Sequence, residues 1–213
     1  MDSNQYNKDY FENGMENNLS CYSNYRWIPD LTIPMVARMV EYLGLNRHQL
    51  ILDFGCAKGY VVKSFYLMNF RRCYGVDISE YAISQAPEET KPHLFLMDED
   101  TDPIPMVDGI EYDWVVSKDV LEHVDYSKID IILNNLRLAA KNAFFVVPLG
   151  DGKRFNVPEY EHDVTHKIRE SLSWWENRFI ENGFSVKLSS YRVKYIKEKW
   201  AKFKNGNGFF VLE

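Results

Sequence analysis

An α/β fold is predicted: a mostly parallel sheet with helices on both faces and a reversed last strand. Three observations carry it. An apolar run, Leu50–Leu52, ends in Asp53 and passes through a tight turn, Gly55-x-Ala57-x-Gly59, into Val61, Val62, Phe65 and Tyr66 at helical spacing. Strand-like and helix-like segments then alternate as far as residue 147, the pattern of parallel strands joined by helices. The last apolar segment, 208–212, has no helix after it and can return antiparallel.

The elements follow in order. Residues 1–31 are polar, aromatic and Asn-rich and are expected to form an N-terminal lid or cap, with residues 32–213 as one domain. Thr32-Ile33-Pro34 reads as an N-cap followed by proline in the first turn. Met35, Val36, Met39, Val40 and Leu43 supply one apolar face, and Gly44 ends that helix. Strands are expected near 50–54, 73–77, 93–97, 113–117 and 143–147, and helices near 59–69, 79–86, 128–140 and 169–182. Trp174 and Trp175 share the last of these with Leu172, Phe179 and Ile180 at core-packing spacing. The tail reads as a strand over 185–191, a helix over 193–204 and the strand 208–212. In that helix Val193, Ile196, Trp200 and Phe203 make an apolar stripe among five lysines. It is read as a solvated connector, with a nucleic-acid-binding helix as the competing reading.

Composition narrows the function. With 213 residues the chain can bury a full single-domain core. The 46% hydrophobic and 26% charged content is that of a globular domain. A net charge of −6 argues against a surface made for nucleic acid. The charge is uneven: acids crowd residues 88–125 and bases crowd 187–204. Cys21, Cys56 and Cys73 are odd in number and form no C-x-x-C pair, so a reducing, cytoplasmic setting is expected. No apolar run reaches membrane-spanning length, and no membrane association is expected.

The turn after the first strand distinguishes two ligand classes. A dinucleotide site needs small residues at 55, 57 and 60, and Tyr60 obstructs the last. Asp53, two residues before the first glycine, would repel a pyrophosphate but suits a ligand bearing an ammonium and a sulfonium. Asp53-x-Gly55-x-Ala57-x-Gly59 resembles the first motif of the class I S-adenosylmethionine-dependent methyltransferases, although that family more often has glycine where Ala57 stands. A second element agrees. Cys73–Asp77 is a strand ending in a carboxylate that could accept from both ribose hydroxyls, with helix capping as the alternative role. The third is Val120-Leu121-Glu122-His123-Val124, which follows the strand Tyr112–Ser117.

The resemblance implies a Rossmann-like seven-stranded methyltransferase sheet and S-adenosylmethionine as cofactor. It implies that Asp53, Gly55, Cys56, Ala57, Gly59, Asp77 and Ile78 contact the cofactor, with Asp77 on the ribose, and that Asp98 takes the adenine amino group, unless Asp98 is one more loop acid. Ser117, Lys118 and Asp119 would line the methionine end. For Glu122 and His123 local packing and capping is the preferred reading. No N-P-P-Y-like turn and no Pro-Cys pair occur, which disfavours amino-methylation of nucleobases and cytosine C5 methylation.

The acceptor side is expected in the lid and in the long loop 148–167. There Glu161-His162-Asp163-Val164-Thr165-His166 offers a general base, His162 or His166 oriented by Asp163. A polar capping loop is the bland alternative. A metal pair at the two histidines is the least supported reading, and no metal is assigned. Tyr25 and Arg26 could close over the sulfonium and the cofactor carboxylate, or anchor the terminus. The expected activity is methylation of a small polar acceptor, at oxygen, of sugar-type or phosphorylated chemistry. An RNA-modifying methyltransferase and a non-catalytic cofactor-binding scaffold are the alternatives. Oligomeric state is not legible.

Overall fold

A computed structural model describes residues 3–213; Met1 and Asp2 of the expected lid lie outside the described residues. Seven strands form one sheet: β1 Ile51–Phe54, β2 Cys73–Asp77, β3 Leu94–Leu96, β4 Tyr112–Lys118, β5 Ala140–Pro148, β6 Val186–Ser190 and β7 Asn207–Leu212. Their order is β3-β2-β1-β4-β5-β7-β6. β1 to β5 pair in parallel, while β7 runs antiparallel to both β5 and β6. The strand order reverses direction between β1 and β4, and the carboxyl ends there open a crevice, the usual ligand site of such sheets.

Strand alternation sends successive side chains to opposite faces. Phe145 and Val147 of β5, with Leu52 and Val115, pack against α5 (Ile129–Ala139) and α6 (Leu172–Glu181). Phe144 and Val146, with Ile51 and Val116, pack against α2 (Pro29–Leu43) and α3 (Tyr60–Leu67). The two helical layers are thus fixed by one alternating pattern. Trp175 is fully buried and stacks on Phe179, 5.7 Å between centroids, as its helical spacing predicts. No helix among the described residues is long and apolar enough to cross a membrane.

Three expectations are corrected. The first helix of the main domain begins at Pro29, so it crosses the 31/32 boundary. Thr32 lies inside it, donating to the Ile28 carbonyl, and Pro34 is internal rather than first-turn. Pro29 supplies the preset φ of a first-turn residue instead. The expected strand at 143–147 extends to Ala140–Pro148 because β4 and β7 flank its whole length. The helix expected over 193–204 is absent: only a 3₁₀ turn, Glu198–Trp200, forms. Tyr195 and Lys197 take left-handed φ of 69° and 59°, which breaks any helix. The apolar stripe divides between two clusters. Val193 and Ile196 join the α2–α3 side, whereas Trp200 and Phe203 cover Phe155, Val157 and Tyr160.

The N-terminal segment folds as a cap. α1 (Lys8–Glu12) is started by Asn7, whose side chain accepts from the Asp9 and Tyr10 amides. Phe11 and Glu12 pair by backbone with Tyr25 and Asn24, closing a loop of rings: Tyr6, Tyr10, Phe11, Tyr22 and Tyr25. These pack on Ala82 of α4 (Glu80–Ser84) and on Ala57 and Ile78 at the sheet edge.

Candidate functional site

A cleft opens at the switch point between β1 and β4. Its floor is Asp53–Ala57, Val76–Ile78, Met97, Asp100, Lys118–Val120 and His123, and its roof is the five aromatic rings of the cap.

The loop after β1 is shaped by three left-handed residues, Gly55 (φ 77°), Ala57 (φ 48°) and Gly59 (φ 70°). A Cβ on Gly55 would stand 2.3 Å from Val120 Cγ2, so glycine is required both by conformation and by contact. Ala57 adopts the same region with its Cβ present, and its N–H donates to Asp77 Oδ2 at 2.7 Å. Asp77 Oδ1 accepts from the Ser79 amide at 2.8 Å. The capping role is taken by Ser79, whose side chain accepts from Ala82, leaving the Asp77 carboxylate facing the cleft. Burial raises the Asp77 carboxyl, and the Ser79, Ala57 and Ile78 amides pull it back. Asp53 is pushed up to about 7 by burial and by Asp77, with Lys118 opposing.

Of the other expected cofactor residues, Cys56 and Ile78 line the cleft, as do Lys118, Asp119 and Tyr25. Gly59 caps α3 and Ser117 donates to the Phe54 carbonyl at 3.0 Å; neither borders the cleft. Asp98 is exposed and outside the lining; the acid at the cleft is buried Asp100, held by Lys128 at 3.1 Å. Arg26 is likewise exposed and outside the lining. For Asp98 the cause is local: β3 ends at Leu96, and the chain turns so that Met97 and Asp100, not Asp98, point inward.

The acceptor end differs more. His162 closes a 3₁₀ turn, Pro158–His162, and is exposed, away from the cleft. No helix joins it to His166, so the two do not share a face. Asp163 orients neither histidine. It accepts from Tyr10 Oη at 2.8 Å and from Thr165 Oγ1 at 2.6 Å. His166 is brought inward because the Lys167 and Ile168 amides both donate to the Glu122 carbonyl, at 2.8 and 2.9 Å. This seats its ring 4.5 Å from that of His123, which borders the cleft. Glu122 lies between them, fully buried, with both carboxylate oxygens unpartnered. Burial and Asp119 push the Glu122 carboxyl well up. Burial, with His166 beside it, lowers His123 to about 3, and burial lowers His166. Packing and capping is therefore an incomplete account of Glu122 and His123. Sequence reasoning passed over this pair because nothing local announces the loop that returns to it.

Lys197 was also missed. Its side chain is 5% exposed and binds Asp119, which also binds Lys118. It is not part of a solvated face. Despite burial, the two lysines hold the Asp119 carboxyl well below its usual range. Asp119 and Lys197 are both left-handed, φ 59° each, a strain that the ion pair offsets.

The residues fit S-adenosylmethionine. Two carboxylates, buried Asp53 and half-buried Asp77, open on one cleft, and Ile78 and Met97 offer apolar walls to a flat base. The comparisons agree with the fold. The family model described as "Methyltransferase domain" matches residues 26–203. No curated protein sequence gives a match. Among solved structures, the methyltransferase in a complex with the Haloferax volcanii activator Trm112 superposes with a TM-score of 0.66 at 14% identity, over 86% of this chain and 90% of that one. An S-adenosylmethionine-dependent methyltransferase from Clostridium acetobutylicum gives 0.62 at 13%, over 85% and 91%. One from Archaeoglobus fulgidus gives 0.62 at 14%, over 83% and 91%. With the family model covering most of the chain, and the loop, acid and sheet order in place, the chain belongs to the methyltransferase domain family and is a class I S-adenosylmethionine-dependent methyltransferase.

Proposed function

We propose that the enzyme methylates a small polar acceptor at oxygen, of sugar-type or phosphorylated chemistry. The observation that carries this is the roof: Tyr6, Tyr10 and Phe11 are buried against the cleft, leaving a recess for a compact molecule beside Lys118, Asp119 and His123. S-adenosylmethionine supplies an electrophilic methyl on sulfur when bound. Asp77 receives the ribose and Asp53 the ammonium; Asp100 is the acid at the adenine end. The cap excludes water, and the acceptor oxygen is activated beside His123, with Glu122 and His166 behind it. The bare Nε2 atoms of His123 and His166 turn toward Glu122, and that cluster suits a hydroxyl that must lose its proton. A cytoplasmic setting fits Cys21, Cys56 and Cys73, all unpaired.

The reading is tested by following labelled methyl transfer to a panel of hydroxylic and phosphorylated small molecules, with folded RNA in parallel. Transfer to small molecules is expected. The rival RNA reading keeps one observation, the exposed Lys194, Lys199, Lys202 and Lys204 around buried Lys197. Transfer confined to RNA, with strong salt dependence, would replace the proposal.

Asp53 makes cofactor binding pH-dependent. In the free protein its carboxyl titrates at about 7, so below that pH a proton must leave before a cation can be held. Affinity should rise about tenfold per pH unit up to about 7, then level. Asp53→Asn should flatten that limb in calorimetric titrations across pH. A wild-type profile already flat between pH 5.5 and 7.5, on the order of a two-unit window, removes Asp53 from the role.

A further inference from the structure

Neither oxygen of the Glu122 carboxylate has a hydrogen-bond partner, although the side chain is fully buried. Buried carboxylates are ordinarily paired or coordinate a metal. The nearest polar atoms are His166 Nε2 at 3.8 Å and His123 Nε2 at 4.0 Å, too far for hydrogen bonds. Their partners fix which ring nitrogens carry hydrogen. His166 Nδ1 lies 2.7 Å from the Tyr160 carbonyl, which only accepts, so Nδ1 is protonated and Nε2 bare. His123 Nδ1 lies 2.7 Å from Thr165 Oγ1, whose own hydrogen is donated to Asp163 Oδ1. That hydroxyl accepts from His123 Nδ1–H, so Nε2 is again bare. Two bare imidazole nitrogens and one carboxyl group from two distant segments thus converge with no hydrogen bond among them.

We propose that Glu122, His123 and His166 bind a divalent transition-metal ion of the zinc class through one carboxylate oxygen and the two Nε2 atoms. A proton could serve one pair of these atoms at most, and none is close enough to share one. Ligand atoms bonded at about 2.0–2.2 Å to one ion stand about 3.3–3.6 Å apart in tetrahedral geometry and up to about 4.4 Å apart when opposite. Both Glu122–histidine separations fall within that limit, and all three donor atoms lie within 4.8 Å of one another. Two imidazoles and a carboxylate favour zinc or a similar ion over calcium and magnesium, which take oxygen donors. The Tyr160 carbonyl and the Asp163–Thr165 pair are the outer partners that orient such histidines. The nearby charge of Lys197 is offset by Asp119. Because His123 borders the cleft, an ion there would have its open positions beside the acceptor recess. The inference rests on donor geometry and not on which acceptor is used. It also departs from the sequence expectation of no metal, which weighed His166 against His162 rather than against His123.

The test uses the full chain, stripped with a chelator and titrated with cobalt(II) as a spectroscopic probe and zinc(II) by calorimetry. One ion per chain is expected, with visible cobalt bands and a raised thermal midpoint. Glu122→Gln and His166→Ala should weaken binding beyond the about 10–100-fold typical of losing an outer partner, and Thr165→Val should fall within that range. His162→Ala should bind as the wild type does. Circular dichroism and S-adenosylmethionine affinity show whether each variant keeps its fold. Glu122→Gln is nearly isosteric and replaces one donor oxygen with an amide nitrogen that offers hydrogens instead of an electron pair. Absence of saturable binding to the wild type, or equal binding by the wild type and Glu122→Gln, overturns the proposal. Neither result bears on whether the acceptor is a small molecule.

Discussion

Asp77→Ala is expected to weaken S-adenosylmethionine binding by about 10²–10⁴-fold. Hydrogen bonds to a charged carboxylate contribute about 1.5–3 kcal/mol each, and a ribose would make two. The substitution also strips the partners from the Ala57 and Ser79 amides, which hold the glycine loop in its left-handed course. Asp77→Asn keeps one acceptor oxygen and turns an amide toward one of those N–H groups. An intermediate loss is expected from it. Calorimetric titration of variants with wild-type circular dichroism measures this directly. Unchanged affinity in Asp77→Ala would take Asp77 out of the ribose role.

Turnover should fall by about 10²–10⁴-fold in His166→Ala and in His123→Ala, with cofactor affinity kept, whereas His162→Ala should stay near wild type. The magnitude follows from disrupting the Glu122–His123–His166 cluster at which the acceptor hydroxyl is activated. The contrast follows from position: His166 is buried beside Glu122, while His162 faces solvent. Initial rates with a small acceptor at saturating cofactor give the comparison. A His162→Ala variant as damaged as His166→Ala would return the role to the loop pair that sequence spacing favours.

The cofactor half of the site was legible because it is local. A strand end, a small-residue turn and a second strand end are contiguous patterns, and the helices and strands that carry them follow apolar periodicity. The acceptor half is assembled across the chain. Thr165 reaches His123 over 42 residues and Lys197 reaches Asp119 over 78, and no spacing rule encodes either. Residues 193–204 misled for a related reason. Their apolar positions have helical spacing, yet two separate clusters absorb them, and left-handed Tyr195 and Lys197 interrupt the turn. Asp98 and Asp100 illustrate a limit of resolution: in a loop crowded with acids, the turn after β3 decides which one faces inward.

Lys58 stands inside the glycine loop with its ammonium buried, holding Glu12 and the Tyr25 carbonyl together. Those two partners are the two sides of the cap, already joined to each other by backbone hydrogen bonds. One side chain thereby works as a latch pin that ties both sides of the cap to the loop beneath them. The buried Lys58 contacts must break for such a cap to lift, and a lifting step of that kind bounds how fast product can leave and a new cofactor can enter. Lys58→Met would leave the two sides joined by backbone but untied from the loop beneath them, visible as earlier proteolytic nicking between residues 12 and 25.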